Sequence, residues 1–135
     1  MESRTGQVRA FHDLTYNCAQ SVACTYTDLV GADRETVFRL CEAYGGGLAC
    51  GKGTCGALLG ACAIAGLANS DGNLEQPTSK RSTYEIVARL FKGFEQSVGS
   101  SVCCEIRGTE TGTPLSTCDK AMEVAAKLVE DEFFS

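Results

Sequence analysis

Tryptophan is absent, proline occurs only at Pro77 and Pro114, and histidine only at His12. So few prolines leave long stretches free to be helical, because proline is the strongest helix breaker. One imidazole excludes any site built on several histidines. No run approaches the roughly 18 apolar residues that a spanning helix needs, so membrane insertion is not expected. Basic charge is scarce as well: 12 Lys and Arg stand against 17 Asp and Glu, for a net charge of −5. Nucleic acid and anionic membrane both select basic surface, and neither is expected as a partner. Met1 to Gln7 lack the apolar stretch of a secretory signal, which points to a cytoplasmic protein. Period-two alternation and internal repeats are missing too, so nothing in the chain reads as a strand.

What the sequence has in excess is cysteine: nine in 135 residues. An odd count without an export signal argues against a disulfide framework. In a reducing compartment such cysteines read as redox thiols or metal ligands. The length suits one domain over residues 1–135, with enough chain to close a core of its own.

Apolar spacing supports an all-α bundle of five or six helices. Phe11, Leu14, Cys18, Val22, Thr25 and Leu29 form one stripe, which Gly31 ends. Asp33 caps a second helix with Val37, Leu40, Cys41 and Tyr44 on one face. Glycines at 45, 46, 47, 51 and 53 then make an irregular loop before a central, buried helix, which Thr54 caps and which runs to about Ala68. Gly56 and Gly60 on that helix allow close approach by a neighbour; packing against its own copy would give a homodimer. A polar loop, Asn69 to Ser79, leads to a fourth helix over Ser82–Val98 with Tyr84, Val87, Phe91, Phe94 and Val98 on one face. A short helical segment within Ser100–Arg107 follows. The last helix starts at Ser116-Thr117-Cys118-Asp119 and carries Met122, Ala125 and Val129 inward.

On this map Cys55, Cys103 and Cys118 all open helical segments, where unpaired N–H groups and the helix dipole favour thiolate. Cys18 falls mid-helix on a core-facing stripe. Cys24, Cys41 and Cys62 occupy packing positions, and free cysteine packs well as a small hydrophobe. Cys50 in the glycine loop and Cys104 beside Cys103 are open to either role. The loop lacks the G-x-x-x-x-G-K-[ST] of a phosphate loop, since Gly53 follows Lys52. It remains open as a nest of N–H donors for a thiolate, cluster or small anion, or as a simple connection.

Asn17-Cys18-Ala19-Gln20, then Gly45-Gly46-Gly47, then Cys55-Gly56-Ala57-Leu58-Leu59-Gly60, Gly99 to Cys103 and the lone Cys118 follow one another in a recognisable order. Over nearly the whole chain they resemble the redox-active family defined by four cysteines and a CGAxxG motif, C_GCAxxG_C_C. The resemblance implies a functional set of Cys18, Cys55, Cys103 and Cys118. Members are common in anaerobic microbes and often lie near transporter genes. A related domain occurs in split-Soret cytochrome c, which is associated with an iron–sulfur centre and heme. Here C-x-x-C-H is missing, so a c-type heme is not implied, and Cys104 stands where an arginine is expected.

Two mechanisms are open within the resemblance. In thiol–disulfide exchange Cys55 is the attacking thiolate and a second cysteine such as Cys18 resolves it. In electron transfer all four thiolates hold an iron–sulfur cluster or another metal, and this is the favoured physiological form. Either mechanism requires a redox partner protein. The alternative is a non-catalytic accessory module, for example one serving a transporter, whose cysteines only pack.

Overall fold

The computed structural model describes residues 1–135. Seven α-helices account for the architecture: α1 Thr5–Asp13, α2 Cys18–Cys24, α3 Arg34–Cys41, α4 Gly56–Asn69, α5 Lys80–Val98, α6 Cys103–Arg107 and α7 Cys118–Phe133. Short 3-10 turns at Thr27–Val30 and Glu42–Tyr44 complete the helical set, and there are no strands. None of the helices is long and apolar enough to cross a membrane.

The α4 helix is the hub, with α2, α5 and α7 packed around it. Its Ala57, Leu58, Ala61 and Ile64 are buried in a core of 22 residues. A Cβ added to Gly60 would lie 2.6 Å from the Ala19 carbonyl oxygen and 3.1 Å from the Val22 Cβ. The small-residue face of α4 is thus filled by α2 of the same chain. That removes the reason for expecting a homodimer through this helix.

The first apolar stripe is not one helix but two. Thr15 adopts a left-handed φ of 74°, and Tyr16 turns back to stack on Phe11 with ring centroids 4.7 Å apart. Such a conformation is rare for a β-branched residue and stops α1. Cys18 is therefore the first residue of α2, not a mid-helix position. Leu14, 67% exposed, and Leu29, 39% exposed, leave the core accordingly. Elsewhere the periodic faces shift by a position. On α5 the buried line is Leu90, Phe94 and Val98, with Tyr84 and Phe91 outside. On α3, Val37 and Cys41 are buried while Leu40 is 54% exposed.

A buried polar knot ties both ends of the chain to the core. The Tyr26 hydroxyl donates to Glu130 Oε2 at 2.5 Å, and the Arg4 N–H donates to the same oxygen at 2.7 Å. Arg4 also reaches the Thr25 carbonyl oxygen at 3.0 Å and Asp28 Oδ1 at 2.7 Å. Burial, the largest single influence on the Glu130 carboxyl, pushes its pKa up, but the bonds from the Tyr26 hydroxyl and the Arg4 N–H, with Ser3 and Lys127, hold it below its usual range.

Candidate functional site

Each of the four family cysteines sits at a helix start, and each start has a local cause. Cys18 follows a complete capping box. The Asn17 side chain accepts the Gln20 N–H at 2.8 Å, while Gln20 Oε1 accepts the Asn17 N–H at 2.9 Å. The remaining amides anchor this turn to the end of α3: Asn17 Nδ2 donates to the Glu42 carbonyl at 3.0 Å, and Gln20 Nε2 to the Phe38 carbonyl at 3.0 Å. Capping satisfies N–H groups that a helix end otherwise leaves open.

Cys55 is itself the N-cap of α4, one position later than the expected Thr54. It meets Cys103, the first residue of α6, through a miniature antiparallel pairing that nothing in the apolar pattern foretold. Thr54 bridges Val102. The Cys55 N–H donates to the Ser101 carbonyl at 2.7 Å, and the Cys103 N–H to the Gly53 carbonyl at 3.0 Å. Cys118 begins α7, where Thr117 Oγ1 accepts the Lys120 N–H at 3.1 Å.

The glycine loop makes room for these sulfurs. Residues Gly46, Gly47, Leu48 and Ala49 are all left-handed, with φ of 63°, 62°, 59° and 71°. Left-handed backbone costs an L-residue about 1–2 kcal/mol, so Leu48 and Ala49 are strained. A Cβ on Gly47 would come within 2.5 Å of the Cys103 Cβ. One on Gly56 would lie 2.9 Å from the Tyr44 carbonyl oxygen and 3.4 Å from the Cys18 Cβ. A side chain at Gly47 would push Cys103 away, and one at Gly56 would press on the Tyr44 carbonyl beside Cys18.

Together Cys18, Cys55, Cys103 and Cys118 line one pocket of ≈ 60 Å³, with Arg107, Ile106 and Ala121. The four thiols are not equivalent. Cys118 is exposed, Cys18 partly buried, and Cys55 and Cys103 buried. The thiolate of Cys118 is favoured, its pKa lowered to about 6. The Cys18 thiol directed at it is the largest cause, and the charges of Arg107 and His12 add to it against desolvation and Asp119. Cys18 is pushed strongly upward in return, by that same interaction first and by burial second.

Cys55 departs from expectation. Burial raises its pKa, and the Ala57 and Leu58 N–H groups only partly offset that effect. Desolvation outweighs the helix terminus there, so the lowered pKa expected of Cys55 is found at Cys118 instead. His12 Nδ1 lies 3.9 Å from Asp119 Oδ1, and the His12 charge acts on Cys118.

Four thiols are a donor set that iron–sulfur clusters and tetrahedral zinc accept. As the side chains stand, no three Cys, His, Asp or Glu are gathered closely enough to hold a metal ion. The arrangement does not fit a metal centre without movement.

The other cysteines lie elsewhere. Cys24 points away from the pocket to the Arg34 carbonyl oxygen, 3.9 Å from its Sγ, and lies close enough to Cys41 to raise that thiol further. Burial holds Cys24, Cys41 and Cys62 up at about 11, in the manner of packed thiols. Arg107 was not singled out from sequence. Its place at the end of α6, four residues after Cys103, is the signal that could have found it, since one helical turn returns it to the same face.

The sequence model of a family described as "Putative redox-active protein (C_GCAxxG_C_C)" matches residues 16–132. No curated protein and no solved structure matches the chain.

Proposed function

The chain belongs to the C_GCAxxG_C_C family of redox-active proteins, and on that premise we propose that it performs thiol–disulfide exchange with Cys118 as nucleophile and Cys18 as resolving thiol. The observation that carries this reading is the unequal pair itself. An exposed sulfur with a pKa of about 6 stands against a partly buried one that keeps its proton.

The Cys118 thiolate attacks one sulfur of a disulfide R–S–S–R, forming Cys118–S–S–R and releasing R–S⁻. The negative charge that held the Cys18 proton in place is then gone, and with it the largest cause of the raised Cys18 pKa. Cys18 passes its proton to the released thiolate and attacks the Cys118 sulfur. A Cys18–Cys118 disulfide forms and the second R–S⁻ leaves. Two electrons pass from the protein to the substrate, and the reverse sequence oxidises a dithiol partner. The pocket is too small for an organic substrate, so a partner has to present its disulfide at the exposed Cys118 sulfur.

Glutathione disulfide tests the sequence of steps. Cys18→Ser is expected to accumulate a stable Cys118–glutathione adduct that the unmodified protein resolves. Equal accumulation in both proteins, or an adduct on Cys55 in preference, would overturn the assignment.

A second reading rests on the convergence of four thiols at one pocket, each at a helix start. If the sulfurs draw together, Cys18, Cys55, Cys103 and Cys118 become the ligands of an iron–sulfur cluster or another metal, and the protein transfers single electrons. Anaerobic purification separates the readings: brown protein with iron and acid-labile sulfide supports the cluster, and colourless protein with four titratable pocket thiols supports exchange.

A further inference from the structure

Arg107 is the only charged residue among the nine that line the four-cysteine pocket. Of those nine, Gly46, Arg107 and Cys118 are exposed, so these three stand at its rim. The enclosed volume of ≈ 60 Å³ is about that of two water molecules, so one short molecule can touch Arg107 and Cys118 together. A disulfide that reaches the Cys118 sulfur from solvent therefore meets a guanidinium beside it.

That guanidinium is uncommitted. Arg107 enters none of the ion pairs of the chain, whereas Arg4 and Arg89 are each held by a carboxylate. Its backbone, by contrast, is tied down. The α6 helix ends in Gly108 at a left-handed φ of 69°, where a Cβ would strike Pro114. The Leu115 N–H then donates to the Ile106 carbonyl at 2.8 Å, which fastens the segment leading into Cys118 to the residue before Arg107. The other charges that act on Cys118, His12 and Asp119, are opposite in sign and face each other at 3.9 Å; neither lines the pocket. An unpaired guanidinium held next to a nucleophilic sulfur favours thiolate, and it also offers a fork of donors to a carboxylate on the incoming molecule. That local attraction runs against the chain as a whole, whose net charge of −5 repels anions.

We propose that Arg107 is a substrate-recognition residue, which makes Cys118 selective for disulfides that carry a carboxylate a few bonds from the sulfur. A carboxylate of ⁻OOC–R–S–S–R–COO⁻ pairs with the guanidinium. The Cys118 thiolate attacks the nearer sulfur, Cys118–S–S–R–COO⁻ forms, and ⁻S–R–COO⁻ leaves. One S–S bond breaks, one forms, and no proton moves in this step. Cys18 then closes onto Cys118 as in the exchange reading, on which this inference rests.

The test compares three small disulfides, the anionic dithiodipropionate, the neutral hydroxyethyl disulfide and the cationic cystamine, at one pH and low salt. Each rate is divided by that of free mercaptoethanol with the same disulfide, and peptide mass identifies the modified cysteine. Thiolate fraction and nucleophilicity of Cys118 are common to all three reactions and cancel from the ratios, so an effect of Arg107 on acidity alone leaves them unchanged. The full chain is expected to favour the dicarboxylate over the neutral disulfide about fivefold, the reach of one exposed ion pair, and to disfavour cystamine. Arg107→Gln should abolish that preference, Arg107→Lys should keep part of it, and added salt should erode it. A peptide disulfide with Asp beside its cysteine, run against its Asn counterpart, separates the two sources of such a group. Faster reaction of the Asp peptide assigns a protein loop, and equal rates with the dicarboxylate preference intact assign a small molecule. Equal normalised rates in the unmodified protein, or a preference that survives Arg107→Gln, overturn the inference while exchange at Cys118 stands. Modification of another cysteine in place of Cys118 overturns both. Circular dichroism of each variant establishes that it is folded.

Discussion

Replacing Cys18 by alanine should make Cys118 a more ordinary thiol, and the size of the effect follows from the site. Cys118 falls from a reference of 9.0 to about 6, with the Cys18 thiol as the largest cause. At pH 7 a thiol of pKa 6 is about 90% thiolate and one of pKa 9 about 1%, a roughly 90-fold advantage. A more acidic thiolate is intrinsically less nucleophilic, and a Brønsted slope of about 0.4–0.5 over three units returns some 15- to 30-fold. The net gain at pH 7 is only about three- to sixfold. At pH 5.5 the thiolate ratio grows to about 800, and the net gain to about 25- to 50-fold. Acidic solution is where the assay discriminates. The measurement is the rate of reaction with a small aromatic disulfide from pH 4.5 to 9, with the modified cysteine identified by peptide mass. The unmodified protein should show a Cys118 midpoint near 6. In Cys18→Ala it should rise by at least one unit, with Arg107 and His12 still holding it below 9. A midpoint of 8 or higher in the unmodified protein, or no shift in the variant, would refute the reasoning.

Asn17→Ala removes the cap of α2 and the ties to the end of α3; it should cost about 1–2 kcal/mol in urea unfolding and slow the Cys18–Cys118 closure more than it slows modification of Cys118. Gly60→Ala gains about 1 kcal/mol of helix propensity but drives a Cβ to 2.6 Å from the Ala19 carbonyl oxygen. With overpacking at about 1–3 kcal/mol, a net loss and a lower thermal midpoint are expected, and an unchanged or raised midpoint would contradict the α2–α4 packing. The lowered Cys118 pKa also makes a stability term with a definite sign. In the reduced protein it is fully present above the unfolded-state thiol pKa near 9, and it is lost as pH falls through about 6. Urea titrations of reduced protein should show Cys118→Ser losing this dependence across pH 6–9.

The helical class was legible because Pro77 and Pro114 leave the apolar stripes unbroken; the cap at Asp33 stands where its side chain suggests, and that of the last helix falls at Thr117, one residue after Ser116 of the Ser116–Asp119 pattern. The break at Thr15 was not legible, since Leu14 and Cys18 keep helical spacing across it. Only the capping box of Asn17 and Gln20 marks the new start, and its meaning depends on the carbonyls of α3. At the site, motif order named the four cysteines that line the pocket, but not how they divide the chemistry. A helix start favours thiolate at Cys55 and at Cys118 alike. Burial, a tertiary property, reverses the effect at Cys55. The contact with Cys18 and the charges of Arg107 and His12, from three separate segments, reinforce it at Cys118.

The most direct test of the Cys18–Cys118 pair is an equilibrium redox titration of the anaerobically purified protein in glutathione buffers, each point quenched and mapped without reduction. A Cys18–Cys118 disulfide that appears as one two-electron transition, while Cys55 and Cys103 stay alkylatable, is the predicted result. A coloured protein holding iron and sulfide, with all four pocket cysteines protected from alkylation together, would contradict it.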